Sequence, residues 1–314
     1  LEAACFAEYI NSTHHTIKAT ATSFLEMLDN YCYMGDQPFA VPSGLGIMAV
    51  AKEARELGIK VLLSGDCADE CFGGYSWYDK LNIPRSTLPN KLSEDIISSH
   101  SLGIDDSTIL DVFSNYTSHQ RAWAWHYYAH EKDKGKLYNP EWTSGVKTSL
   151  RHFEEYNSSR NWEAREYIDQ DRSFYLPNEM LNKLDRMTMA YSVEGRAPFA
   201  APSVLRLADS LDYSQMVRNG TLKWVLRQAF VDILPKEVIR RPKHGFNLPL
   251  EHWFRGDWKH LIDETFGSSS ALRKNNIIQK NAVSTATKMV NDSKQLNANT
   301  IFCFVMLNKW YETQ

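Results

Sequence analysis

Cysteine is scarce and scattered in this chain: Cys5, Cys32, Cys67, Cys71 and Cys303 are all that 314 residues contain. An odd number without regular spacing excludes the disulfide framework of a small secreted domain. Positive charge is not in excess either. Lys and Arg total 35 against 38 Asp and Glu, a formal net charge of −3, so no basic surface attracts nucleic acid by neutralising phosphates. No apolar run approaches the roughly 18 residues that cross a bilayer, and the opening residues do not read as a signal peptide. Low-complexity tracts and internal repeats are missing as well. These absences agree with a cytoplasmic globular protein and lead us to expect no nucleic-acid or membrane partner. At 43% apolar, the chain can bury a substantial core, in one large domain or two smaller ones.

The most informative stretch runs from Val61 to Tyr75, Val-Leu-Leu-Ser-Gly-Asp-Cys-Ala-Asp-Glu-Cys-Phe-Gly-Gly-Tyr. An aliphatic run stops at Ser64-Gly65, two carboxylates three residues apart follow, and Gly73-Gly74 closes the stretch. That order predicts a buried parallel strand over Lys60 to Leu63, a tight turn and the start of a helix. Ligands of open α/β sheets sit at the carboxyl ends of such strands. Asp66 and Asp69 are poorly suited to a bare phosphate and well suited to Mg²⁺ that a phosphate in turn coordinates. A helix start with an acidic first turn is the plainer alternative. Cys67 and Cys71 lie one helical turn apart, but no Cys/His set with zinc-like spacing accompanies them.

Two further blocks carry unusual residues. From Tyr175 to Phe199 a proline, Pro177, stands near a first helical turn. Met180, Leu181, Leu184, Met187 and Tyr191 then recur at helical spacing and read as core. Asp185, Glu194 and Arg196 are charges at or beside this stripe, and a buried ion-pair network is the default explanation for them. From Leu234 to Pro249, Pro242 and Gly245 place Lys243 on an irregular loop, where binding residues concentrate. Upstream, Leu222 to Phe230 has apolar spacing that reads mostly as core. Elsewhere, His14 to Lys18 suggests a short strand. Phe24 to Met34 and Gly46 to Leu57 have helical spacing, with Gly58 suited to a C-cap. The aromatics of Arg121 to His130 read as helix packing, and Thr300 to Tyr311 as a closing helix.

The three blocks together resemble the ATP-using domain of the asparagine synthetase family. The first is similar to its Ser-Gly-(Glu/Asp)-Gly-(Ser/Ala)-Asp-Glu-x-Phe-Gly-Gly-Tyr signature, with Cys67 in place of a small Gly. The second resembles Asp-(Arg/Lys)-x-(Ser/Thr)-Met-Ala-x-Ser-x-Glu-x-Arg-x-Pro-Phe, and the third Leu-Pro-x-x-(Ile/Val)-x-x-Arg-x-Lys-x-Gly-Phe-x-x-Pro. Lys223 to Ala229 matches Lys-x-x-Leu-Arg-x-Ala. This resemblance implies a partial parallel sheet of the adenine-nucleotide alpha-hydrolase-like type, with a large, mostly helical C-terminal part. It implies ATP and Mg²⁺ as cofactors. Ser64 and Gly65 would present backbone to the nucleotide, Asp69 would ligate the metal and Asp66 would sit beside the acyl-adenylate. Lys243 would contact pyrophosphate and the reacting centre, and Glu194, Arg196 and Asp185 would shape the substrate side.

Relatives carry an early Ser-Gly-Gly-x-Asp-Ser pyrophosphate turn and a glutaminase domain, and neither pattern occurs here. Residues 1–314 are therefore expected to be the C-terminal piece of a longer polypeptide, or to work with a partner chain that supplies these parts. The expected division is 1–85 for the remaining nucleotide core, 86–160 for a helical insertion without a familiar motif, and 161–314 for the helical part bearing the later motifs. Homo-oligomerisation stays open. The implied reaction is AMP-forming amide synthesis from a carboxylate and an amine, by likeness asparagine from aspartate and glutamine-derived ammonia. The acidic Asp66 favours ammonia, since β-lactam-forming relatives carry tyrosine there. A ring-closing amide synthetase of the β-lactam or lasso-peptide type, and a non-catalytic scaffold, are the alternatives. Ala200-Ala201-Pro202 departs from the usual Leu-Asp after Pro-Phe and leaves room for a changed substrate.

Overall fold

A computed structural model describes residues 2–81, 118–126, 128–129, 131–146, 162–241, 245, 247–292 and 295–314. Among the described residues helices dominate, and the one sheet has two parallel strands, β1 (Val61–Leu63) and β2 (Glu194–Arg196). Val61 faces Glu194, Leu62 faces Gly195 and Leu63 faces Arg196. Flanking bonds extend the ladder: Glu194 N–H donates to the Lys60 carbonyl at 2.8 Å, and Ser64 N–H to the Arg196 carbonyl at 2.7 Å. The second bond matters for the site, because it pins Ser64 to the end of β2 just where β1 stops.

Alternation along the strands sorts the sheet into two faces. Leu62 turns toward Ala51, Ala54 and Val193, against the helix Ser43–Glu56. Gly195 lies under the helix Asn182–Met189. A Cβ there would meet Leu184 Cγ at 2.9 Å and Thr188 Oγ1 at 3.0 Å, so glycine lets that helix press on β2. The opposite face is open, with Val61 38% and Leu63 74% exposed. This corrects the expectation of a buried strand. An apolar run reports that a strand avoids water, and only the layers packed on it decide whether both faces succeed.

Two other expectations change. Residues 14–18 are not a strand; they are exposed and irregular. Pro177 does not open a helix. It stands inside a π-helical stretch, Asp171–Leu181, that continues the helix Ala164–Gln170 and runs on into Asn182–Met189. Proline removes a backbone donor and crowds the carbonyl one turn back, and a widened π register leaves more room for its ring. The Ser43–Glu56 helix ends as expected, with Gly58 at φ 77°.

The largest core gathers around the C-terminal helix Gln295–Glu312, which buries Ile301, Phe302, Phe304, Val305 and Met306. Trp258 is fully buried beside it and donates its indole N–H to the Ala21 carbonyl at 2.8 Å. A second cluster joins Tyr75, Trp77 and Tyr78 to Trp162, Tyr167 and Ile168. A third lies under the Asp66–Asp69 turn: Cys67, Cys71, Phe72, Leu176 and Ala208. Trp123, in the helix Ser118–Trp125, is buried and meets Phe174 edge-on at 4.2 Å, a packing role as expected. Most of residues 86–160 lies outside the described residues.

Candidate active site

Ser64 begins the loop that leaves β1. Its hydroxyl donates to Asp66 Oδ2 at 2.5 Å and accepts from the Asp66 N–H at 3.3 Å, so Asp66 is bent back over the strand end. Cys67 then adopts φ 74°, ψ −14°, and the short helix Ala68–Phe72 follows. L-residues with a Cβ enter this left-handed region at a cost of about 1–2 kcal/mol. That cost is the physical reason glycine suits the position, and Cys67 fills it with a buried thiol instead. Gly73, at φ 66°, ends the helix. Gly74 does something different: a Cβ on it would lie 1.9 Å from Asp69 Oδ1 and 2.5 Å from Lys223 Cε.

Asp69 and Lys223 are the paired charges of this turn, Nζ to Oδ1 2.9 Å, both mostly shielded from solvent. Lys223 caps the helix Trp224–Ala229 with φ 54°. The apolar spacing of residues 222–230 suggested core, and the structure bears this out in part: Leu222, Val225 and Leu226 are half-buried against apolar clusters, while Gln228, Ala229 and Phe230 are exposed. The same segment carries the ammonium that meets Asp69. The signal was present in Lys-x-x-Leu-Arg, but only the fold shows where the lysine goes. The Pro242–His244 segment, and with it Lys243, lies outside the described residues, as does Phe246.

Glu194 and Arg196 project from the open face of β2 and pair with each other, Arg196 Nε to Glu194 Oε1 2.8 Å. Both are more than half exposed, and Asp185 is exposed too. The buried ion-pair network expected of these three is therefore absent. Their placement comes from β alternation: residues 194 and 196 share a face, and among the described residues no helix covers it.

The buried charges are elsewhere, and the sequence reading missed them. Glu70, beside Asp69, is buried and accepts a 2.7 Å hydrogen bond from the Tyr75 hydroxyl. Burial, opposed by that bond and aided by the negative charge of Asp69, pushes its carboxyl up to about 7. Asp171 accepts from the Tyr78 hydroxyl at 2.9 Å and pairs with His126 Nε2 at 2.8 Å. The His126 ring stacks on Tyr175 with centroids 4.0 Å apart. Burial opposes its charge, but Asp171 by its charge and hydrogen bond, with Glu179 and Glu70 behind, holds the imidazole above its ordinary value. Glu179 accepts from Tyr128 at 3.0 Å; burial raises its carboxyl, against the pull of Lys183 and His126. Lys183 is buried with its ammonium 3.1 Å from Ser43 Oγ. The buried Glu70 and Asp171, the half-buried Glu179 and His126 and the buried Lys183 thus gather around the π-helix and the Asp69 helix. A π register near functional groups is a recurrent association.

Cys67 and Cys71 are buried thiols, pushed up to about 12 and about 11 by burial first. At those values neither thiol is ionised at neutral pH. Among the described residues no group of three or more His, Cys, Asp or Glu is disposed to hold a metal. A hard cation at Asp69, with Asp66 on the same turn, would need phosphate oxygens and water for most of its ligands. Asp69 Oδ1 is already paired with the Lys223 ammonium, so a cation there would have to share this carboxylate with Lys223 or displace it, with Asp66 as the second carboxylate of the turn.

Comparison with known proteins gives the family of the chain. The asparagine synthase family model matches residues 2–312. A Mycobacterium bovis protein, provisionally named a glutamine-hydrolyzing asparagine synthetase, is 32% identical over 279 residues, covering 84% of this chain and 41% of the relative. Asparagine synthetase [glutamine-hydrolyzing] 1 of Bacillus subtilis is 28% identical over 269 residues, 82% of this chain and 42% of the relative. The chain thus spans about two-fifths of the length of these curated relatives. A more distant match is Amidase chry2 of Gibberella zeae, 21% identical over 286 residues, 82% of this chain and 42% of the relative. On the breadth of the family match and the 32% relative, the chain belongs to the asparagine synthase family.

Proposed function

We propose that this chain performs ATP-dependent amide-bond formation through an acyl-adenylate, with aspartate as the carboxylate and ammonia as the amine. The observation that carries the reading is the Asp69–Lys223 pair, held on a glycine turn at the carboxyl end of β1. That is where open α/β sheets present ligands. The names of the relatives support the choice of aspartate and ammonia.

The chemistry sets the demands on the site. A carboxylate oxygen attacks the α-phosphorus of ATP, the bond to the β-phosphate bridge breaks, and pyrophosphate leaves. The amine nitrogen then attacks the acyl carbon, AMP departs, and the nitrogen gives up a proton. The first step needs alignment and charge neutralisation more than covalent help. Bound Mg²⁺ would offset charge on the pyrophosphate oxygens, and Asp69, seconded by Asp66, would hold it. The ammonium of Lys223, 2.9 Å from Asp69, would face the same phosphate charge. Lys243 would supply a second ammonium to the leaving pyrophosphate. Ser64 and Gly65 would offer backbone to the nucleotide, and Glu194, Arg196 and Asp185 would face the substrate side.

The relatives' extra length and the bare face of β1 support a further part of this reading. We infer that additional polypeptide, carrying a phosphate-binding turn and a glutaminase unit, completes the enzyme. Leu63 and Val61 are the surface it would cover. The test is ATP–pyrophosphate exchange by the intact enzyme. Lys243→Ala is expected to abolish exchange with little loss of folding; exchange near the wild-type rate would refute the role given to that lysine. Scoring AMP release with aspartate and ammonia separates this reading from a tethered-amine ring closure.

A further inference from the structure

Arg227 lies in the helix Trp224–Ala229, one turn beyond Lys223. Its guanidinium donates to three main-chain carbonyls: Nε to Leu222 at 2.8 Å, Nη1 to Ile239, and Nη2 to Arg241 at 2.9 Å. A planar fork with five N–H donors can do this; an ammonium on a flexible stem cannot reproduce the geometry.

One of these acceptors has a special place. The Leu222 carbonyl and the Lys223 N–H belong to the same peptide unit. Arg227 holds that unit at its oxygen, and the Gly73 carbonyl accepts from its N–H at 3.4 Å. Lys223 itself sits at φ 54°, a conformation that a residue with a Cβ keeps only where its surroundings over-determine it. The other two carbonyls lie at the end of the helix Lys236–Arg240 and just beyond it. They give the guanidinium an anchor outside its own helix.

We propose that Arg227 is a positioning residue for the Asp69–Lys223 pair. It locks the Leu222–Lys223 peptide unit in the orientation that aims the ammonium at Asp69, using the backbone of residues 239 and 241 as its anchor. The inference deepens the adenylation reading and rests on it only for the consequence in catalysis. The geometric claim stands or falls separately.

Site-resolved amine labelling of the full chain, read by mass spectrometry, tests the geometry. An ammonium held by a carboxylate in a shielded pair reacts slowly, so Lys223 should label more slowly than the exposed Lys52. Asp69→Asn should speed labelling of Lys223 several-fold. Arg227→Met should do the same and Arg227→Lys in part, with other lysines unchanged. Free guanidinium added to Arg227→Ala should slow Lys223 labelling again. Unchanged labelling of Lys223 in folded Arg227→Met would overturn the proposal. If that variant does not fold, unchanged labelling in Arg227→Lys, which keeps the charge and most of the stem, overturns it equally. In the intact enzyme, Arg227→Lys should raise the KM for ATP about tenfold in pyrophosphate exchange. A wild-type enzyme that shows no exchange at all would defeat the adenylation reading, while the labelling result would still decide the role of Arg227.

Discussion

Asp69 Oδ1 and Lys223 Nζ meet at 2.9 Å against the bare α-carbon of Gly74. The two glycines of the Gly73-Gly74 pair therefore have different duties. Gly73 takes a left-handed φ and ends the helix. Gly74 leaves empty the volume that the ion pair occupies.

Gly74→Ala follows directly. The new Cβ would lie 1.9 Å from Asp69 Oδ1 and 2.6 Å from Asp69 Cα, and the second of these is backbone that cannot swing aside. We expect a loss of about 2–3 kcal/mol in denaturant unfolding, at the upper end for overpacking, with pyrophosphate exchange falling below detection. Gly65→Ala is the control, since nothing lies within 4 Å of its Cβ position. It should fold as wild type, and a raised KM for ATP would register the backbone role given to Gly65.

Cys67 offers a second test, in which two effects oppose each other. Its thiol is buried against Phe72 and Leu176, while its φ of 74° is unfavourable for any residue with a Cβ. Cys67→Ala keeps the strain and loses the sulfur, so it should destabilise by about 1 kcal/mol. Cys67→Gly loses more volume but relieves about 1–2 kcal/mol of left-handed strain. The glycine variant should be at least as stable as the alanine variant in urea unfolding. The reverse order would mean that packing, not backbone, governs the position.

The contrast between these two residues shows what the sequence could convey. The Asp66–Asp69 turn was legible because its ingredients lie within a dozen positions: a stop to the apolar run, two carboxylates and paired glycines. The partner of Asp69 was not, because Lys223 arrives from a distant segment whose apolar spacing read as core. Glu194 and Arg196 were located by motif, but their exposure depends on which face of the sheet the helices cover. The acids at Glu70, Asp171 and Glu179 escaped notice because their burial is tertiary. Glu70 did leave a trace: it follows Asp69 directly and precedes Cys71-Phe72, so a second acid stands beside the apolar side of a five-residue helix.

The open face of β1 gives a third prediction. Leu63 is 74% exposed, so Leu63→Asp in this chain should change unfolding free energy by no more than about 0.5 kcal/mol, as for other surface positions. In the longer enzyme, where we infer that polypeptide covers this face, the same substitution should lower stability by well over 1 kcal/mol and reduce exchange. Equal, small effects in both would show that the face stays in water.

The buried acids make stability depend on pH in a direction that can be worked out. Burial chiefly raises the Glu70 carboxyl to about 7, above its unfolded value of about 4.3. Its contribution is fully present below the unfolded value and is lost as pH rises through about 7, because folding then buries a charge. The full loss is about 4 kcal/mol. His126, also raised in the folded chain, has the same sign: its share is present below about 6.5 and fades as pH climbs through its folded value. Unfolding free energy of the chain without divalent metal should therefore decline from about pH 5 to about pH 8. Glu70→Gln keeps an acceptor for Tyr75 and cannot ionise, so its decline should be shallower by up to about 3 kcal/mol across that range. Parallel curves for the two proteins would show that Glu70 is ionised at little cost, and that the Tyr75 hydroxyl compensates a buried carboxylate more fully than its surroundings suggest.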